Sequence, residues 1–167
     1  MDNPTQPDHV ALAEAIADPA GQPLTSFEAL RALAETLVGA RMFTVLAFDF
    51  ARYVMVRAYS TNEAIYPVNA ADPITDSIWE RTLIGERQPL VLNSPEAMAT
   101  LLPNVPELVA LGCEAMLNLP IVIAGKAIGA INLLDHSGRY TADRIAAAKA
   151  LVPGAAAILL WQQLNGN

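Results

Sequence analysis

The sequence predicts an α+β fold, an antiparallel sheet with its helices segregated around it. Three observations lead there. Apolar runs come in consecutive pairs joined by short turns, at 42–60 and at 116–134, which is the pattern of hairpins. Long helical periodicity is confined to the two ends of the chain. Between the hairpins, Pro67, Pro73, Pro89, Pro95, Pro103 and Pro106 leave room only for short elements, so no long parallel-sheet crossover fits.

Residues 1 to 7 are polar and proline-containing and read as loose, with Asp8 placed to cap a first helix whose apolar positions are Val10, Leu12, Ala13, Ile16 and Ala17. Asp18-Pro19 ends it. Thr25 and Glu28 have capping-box spacing and open a second helix with a stripe of Phe27, Leu30, Ala34 and Leu37, stopped at Gly39. Met42 to Phe50 and Tyr53 to Ser60 then read as two strands about a turn at Ala51-Arg52. The first is apolar on both faces and therefore central. The second alternates: Tyr53, Met55, Arg57 and Tyr59 share one face, polar enough to meet solvent or a ligand, and Val54, Val56 and Ala58 share the other.

Residues 61–72 lack a period and read as loop with a short strand around Tyr66. Asp72-Pro73 puts proline at a good first helical position, so a helix carrying Asp76 and Trp79 is expected to run through Ile84 on a stripe of Ile74, Ile78 and Leu83, with Gly85 as its stop. Pro89 to Leu92 is a short strand, Ser94-Pro95-Glu96 opens a short helix, and Pro103 and Pro106 bracket a turn into Glu107 to Leu111.

The strongest strand pattern is Met116 to Ile123 and Lys126 to Leu134, two runs of Ile, Val and Leu about Ala124-Gly125, too apolar to face water on either side. Asn118 and Asn132 lie inside them. A buried amide without a partner costs a few kcal/mol (about 2–7), so both must be satisfied. With a two-residue loop, Asn118 faces Ile131, Asn132 faces Leu117, and the two amides lie on opposite faces. A three-residue loop or a bulge near Pro120, which lands opposite Gly129, would put both on one face.

Thr141 caps the last helix, with Tyr140 and Ile145 as a hydrophobic staple, and the helix runs to about Gln163. Pro153 in its middle removes the normal partner of the Lys149 carbonyl and predicts a kink or a split. From Ala150 to Trp161 it is apolar nearly all round, which implies burial on more than one side and hence a partner subunit, in a bundle with the two N-terminal helices. The expected organisation is a tail and first helix at 1–23 and one domain at 24–165.

Composition narrows the function classes. The chain is 53% apolar with a net charge of -7 and only ten Lys and Arg, in no cluster, which argues against nucleic-acid or anionic-membrane partners. A single cysteine, Cys113, allows neither an intrachain disulfide nor a cysteine-based zinc site. The start has no signal-peptide pattern and Leu151 to Trp161 is too short to span a bilayer, so a cytoplasmic location is expected. His9 and His136 have no partner motif, and no metal or cofactor is expected.

The segments LGCEAMLNLPIVIAGKAIGAINLLD and SGRYTADRIAAAKAL resemble the hairpin, polar loop and final helix of a GAF domain, and the resemblance runs from about Phe27 to Leu164. It implies a six-stranded antiparallel sheet, terminal helices on one face that often dimerise, and a ligand cavity under loops and short helices on the other. It further implies that Tyr59, Tyr66, Asp76 and Trp79 wall the cavity, with Cys113 and Asn118 from the hairpin side. Such a set suits a small polar or zwitterionic organic ligand.

Some family functions are disfavoured by the residues. The N-K-x-F-D-E set of cyclic-nucleotide binders is not readable, and Cys113 is followed by Glu114, Ala115 and Met116 where bilin carriers have a nearby histidine. His136 in a polar turn is the one conceivable haem ligand. The expected function is a sensory or regulatory small-molecule-binding module without its own output domain, since no kinase, helix-turn-helix or cyclase segment accompanies it. Two alternatives stand beside it. L-G-C-E is similar to the catalytic cysteine run of free methionine-R-sulfoxide reductase, although Cys113 stands too close to Pro120 and no second cysteine can resolve a sulfenic acid; Cys113 is otherwise a small buried hydrophobe. The other is a non-binding dimerisation scaffold.

Overall fold

A computed structural model describes residues 9–166; the expected cap at Asp8 lies outside them. Six strands, β1 (Met42–Asp49), β2 (Val54–Ser60), β3 (Ala71–Pro73), β4 (Leu90–Leu92), β5 (Ala115–Ile123) and β6 (Lys126–Asp135), form one antiparallel sheet in the order β3-β2-β1-β6-β5-β4. β6 and β1, each buried over most of its length, are central, as strands without a polar face must be. Helices α1 (His9–Ala17), α2 (Leu24–Leu37), α6 (Ala142–Ala148) and α7 (Val152–Asn165) pack on one face over Phe43, Val45, Leu117, Ile131 and Leu133. Short helices α3 (Ile78–Glu80), α4 (Pro95–Met98) and α5 (Val105–Ala110) belong to the other.

Two bulges decide which side chains share a face. In β1–β2, Val45 pairs with Tyr59 but Leu46 pairs with Arg57, so Ala58 is an extra residue. Arg57 and Met55 therefore point away from the terminal helices while Tyr59 points toward them, correcting the expected common face. In β5–β6, Ile123 pairs with Lys126 but Ile121 pairs with Gly129, so Ile128 is extra. Ala124 and Gly125, both at positive φ, do form the two-residue turn. The bulge then resets the parity, Asn118 lies directly opposite Asn132, and Pro120 faces Ala130.

Several local expectations are replaced. Asp72 and Pro73 belong to the edge strand β3, where proline needs no ladder donor, and not to a helix. The helix there starts at Ser77, whose hydroxyl accepts from the Trp79 N–H while Glu80 reaches back, a capping box. It continues as a π-helical turn, Arg81–Glu86, closed by Arg87 at positive φ, so Gly85 is not its stop. The Thr25 and Glu28 capping box does not form: α2 begins at Leu24, and the Thr25 hydroxyl turns back to the Ala20 carbonyl.

At the C-terminus Thr141 caps α6, and Pro153 has the expected effect. The helix tightens into a 3-10 turn at Lys149–Leu151, and the Val152 N–H takes the Lys149 carbonyl. By length and apolarity alone Ala142–Asn165 could cross a bilayer, contrary to the shorter span read from sequence. Its Ala155, Ala156, Ile158 and Leu159 are instead buried in the helix-face core, the setting of a core helix. Gly129 allows this close seat, since a Cβ there would stand 2.3 Å from the Leu46 carbonyl oxygen and 2.6 Å from Leu159 Cδ1.

Candidate functional site

The sheet face away from the terminal helices carries two separate apolar clusters. One, beneath α4 and α5, holds Met42, Met98, Leu108, Cys113, Met116 and Leu134. The other, beneath α3 and its π-turn, holds Leu46, Phe48, Met55, Ile74, Leu83 and Ala130. Between them a cavity of about 470 Å³ is lined by members of both, together with Arg57, Tyr66, Trp79, Asn118 and Asn132.

The side of this cavity formed by the sheet is a hydrogen-bonded ladder across three strands. Asn118 Nδ2 donates to Asn132 Oδ1 at 2.7 Å, and Asn132 Nδ2 donates to Thr44 Oγ1 at 3.0 Å. One amide thus serves the other, which is possible only because the Ile128 bulge brings them onto one face. The Asn118 Oδ1 is left without a partner although the residue is 1% exposed.

Arg57 supplies positive charge. It is 8% exposed, with Nη2 3.7 Å from Asp72 Oδ2 and its guanidinium carbon 4.7 Å from the Tyr66 ring centroid, a cation–π contact. Burial pulls its pKa down against the raising effects of Asp72 and Tyr66, and its Nε also has no partner. Tyr66 is carried on the 61–70 loop, which is fastened to β2 by the Asn69 N–H to Arg57 carbonyl and Arg57 N–H to Ala70 carbonyl bonds. Trp79, half-buried on α3, meets Phe48 edge-on at 6.1 Å.

Glu80 lines the same cavity but is engaged locally, accepting from the Thr75 N–H and hydroxyl and from the Ser77 N–H and hydroxyl. Burial would raise its pKa, but these hydrogen bonds outweigh it and hold the carboxyl below the usual range.

Of the six residues singled out in the sequence, Tyr66, Trp79 and Asn118 come together here. The other three are elsewhere. Tyr59 lies under the terminal helices, stacked on Phe27 at 5.2 Å and donating to Glu28 Oε1 at 2.6 Å. Asp76 precedes the α3 cap and is exposed, 3.3 Å from Arg81 Nε. Cys113 is buried in the α4–α5 cluster, where burial and then Asp135 push its thiol pKa up. Thr44 and Asn132 complete the site; the Asn132 amide was visible in the sequence, but its side of the sheet was not.

A larger open concavity of about 730 Å³ lies beside α2, with Arg31, Arg41 and Arg139 in its lining. Each is already paired, Arg31 with Glu28 and Glu35, Arg41 and Arg139 with Asp135.

The family description "GAF domain" matches residues 27–159, which takes in all six strands and most of α7. The chain belongs to the GAF-domain family. Solved GAF domains share the fold. That of a GAF/HD domain protein from Geobacter sulfurreducens superposes with a TM-score of 0.66 at 23% identity, covering 84% of this chain and 94% of that one. The GAF domain of an Acinetobacter phosphoenolpyruvate-protein phosphotransferase gives 0.69 at 10% identity, covering 95% of both. That of a two-component sensor histidine kinase from Bacillus halodurans gives 0.65 at 16% identity, covering 84% and 95%. No protein of curated function matches.

Proposed function

We infer that this GAF domain is a sensory or regulatory module that binds a small polar organic molecule between its sheet and the α3–α5 side, and hands the change to a separate partner in the cytoplasm. The observation that carries the reading is the cavity between two apolar clusters, with a buried Asn118–Asn132–Thr44 ladder on its sheet side and Tyr66 and Trp79 beside it. A polar ladder in mid-sheet cannot be covered by apolar side chains without losing hydrogen bonds, so the gap above it favours a guest or water. Sensor proteins among the structural relatives support the regulatory part. Native mass spectrometry of the purified chain, with crystallography of any adduct, tests the reading: a retained molecule seated against Asn118 supports it, and a cavity filled only with water under every ligand panel ends it.

The same chain is read as a homodimer through its terminal helices. Val10 of α1, Leu24 of α2, and Leu160, Trp161 and Leu164 of α7 are exposed apolar side chains on the elements packed at that face, which supports a self-association surface. A dimer in sedimentation that Trp161→Glu converts to monomer is the expected outcome. The buried, raised-pKa thiol of Cys113 weighs against the sulfoxide-reductase alternative, because the thiolate is the nucleophile.

A further inference from the structure

We propose that the guest of this cavity is an amino-acid-like zwitterion with an apolar body, a class that rests on the reading of the cavity as a ligand site. Among the described residues, three buried side-chain atoms have no hydrogen-bond partner: Arg57 Nε, Asn118 Oδ1 and Tyr140 Oη. Two of the three belong to residues lining this one cavity, and they are of opposite kind. Arg57 Nε is a charged donor and calls for a carboxylate oxygen; Asn118 Oδ1 is an acceptor and calls for an N–H. A molecule with an anionic end alone leaves the amide oxygen orphaned, and one with an ammonium alone leaves the guanidinium short. Each omission carries the desolvation cost of a buried polar group.

The charges agree. Among the described residues, Arg57, Asp72 and Glu80 are the only Lys, Arg, Asp or Glu residues in the lining, and Glu80 is occupied by Thr75 and Ser77. Arg57 and Asp72 remain as one cation and one anion, 3.7 Å apart and so not in a short hydrogen bond, able to take the two ends of a dipolar guest. The apolar body has Leu46, Met55, Trp79, Leu102, Met116 and Leu134 to pack against. The two orphan atoms are closed to water and the Tyr66 ring lies over the guanidinium, so a guest reaches them only when the side chains that cover them, that ring included, move aside.

The experiment is titration of the full chain carrying Trp161→Phe, which leaves Trp79 as its one tryptophan, followed by calorimetry and fluorescence. The probes are L-leucine, L-phenylalanine and Leu-Leu, each beside the matching carboxylic acid without the amine and the matching amine without the carboxylate. A zwitterion that shifts Trp79 emission, with either deletion weakening binding by about tenfold or more, is expected. Arg57→Met should then abolish the advantage of the zwitterion over the amine. An acid or amine that binds as tightly as its zwitterion overturns the class. If no zwitterion binds while native mass spectrometry shows another retained molecule, the class falls and the ligand site stands. If neither binds, both fall.

Discussion

Asn118 and Asn132 face each other across the central hairpin, one amide donating to the other at 2.7 Å, with Thr44 closing the chain on the next strand. Neither β5 nor β6 could hold its asparagine alone, because each is buried on both faces.

Truncating one member should therefore strand a buried polar group of its neighbour. Asn132→Leu leaves the Asn118 N–H without its acceptor and is expected to destabilise by about 1–3 kcal/mol. The combined Asn118→Leu, Asn132→Leu, Thr44→Val chain should lose less than the sum of the single changes. Urea denaturation of all members of the cycle checks this, and strict additivity would mean the ladder is not a unit.

Gly129→Ala and Gly125→Ala separate space from backbone conformation. At 129 a methyl group meets the Leu46 carbonyl at 2.3 Å and Leu159 at 2.6 Å, so a loss of about 3 kcal/mol is expected. At 125 nothing lies within 4 Å and only the positive φ of 76° opposes alanine, so about 1 kcal/mol is expected. Denaturation midpoints rank the two, and a reversed order contradicts the close seat of α7.

Acid should weaken the fold partly through Glu80. Its folded pKa lies below that of the unfolded chain, so its contribution is complete above the unfolded value of about 4.3 and is lost as pH falls through the folded one. Glu80→Gln should flatten this part of the stability profile below about pH 5 while costing about 1 kcal/mol at neutral pH. An unchanged slope would place the acid sensitivity in other carboxylates, Glu28 beside Tyr59 among them.

Cys113 should resist modification in the folded chain. With the residue 1% exposed and its thiol pKa raised, a disulfide reagent near pH 8 is expected to react at least about 100-fold more slowly than after unfolding in urea. Equal rates would mean the cluster around it opens readily.

The two long hairpins were legible because alternation and apolar runs leave few choices, whereas the three-residue edge strand at Ala71–Pro73 has no such pattern and reads as a helix start. The faces were not. Ala58 and Ile128 are small or apolar residues in apolar runs, and nothing in their spelling distinguishes a paired position from an extra one. Each silently reverses parity, so strict alternation puts Tyr59 on the face of Arg57 and, with a two-residue turn alone, sets the two amides apart. Capping was ambiguous for a similar reason: Thr25 with Glu28 and Ser77 with Glu80 have the same spacing. The first pair is diverted by tertiary bonds, Thr25 to Ala20 and Glu28 to Tyr59, and only the second forms a cap.

At Gly129, three residues before the Asn132 amide on the same strand, only main chain stands against the α7 side chain of Leu159. No methyl or larger group is available there to absorb a displacement. A shift of β6 by a few tenths of an ångström would press directly on the terminal helix.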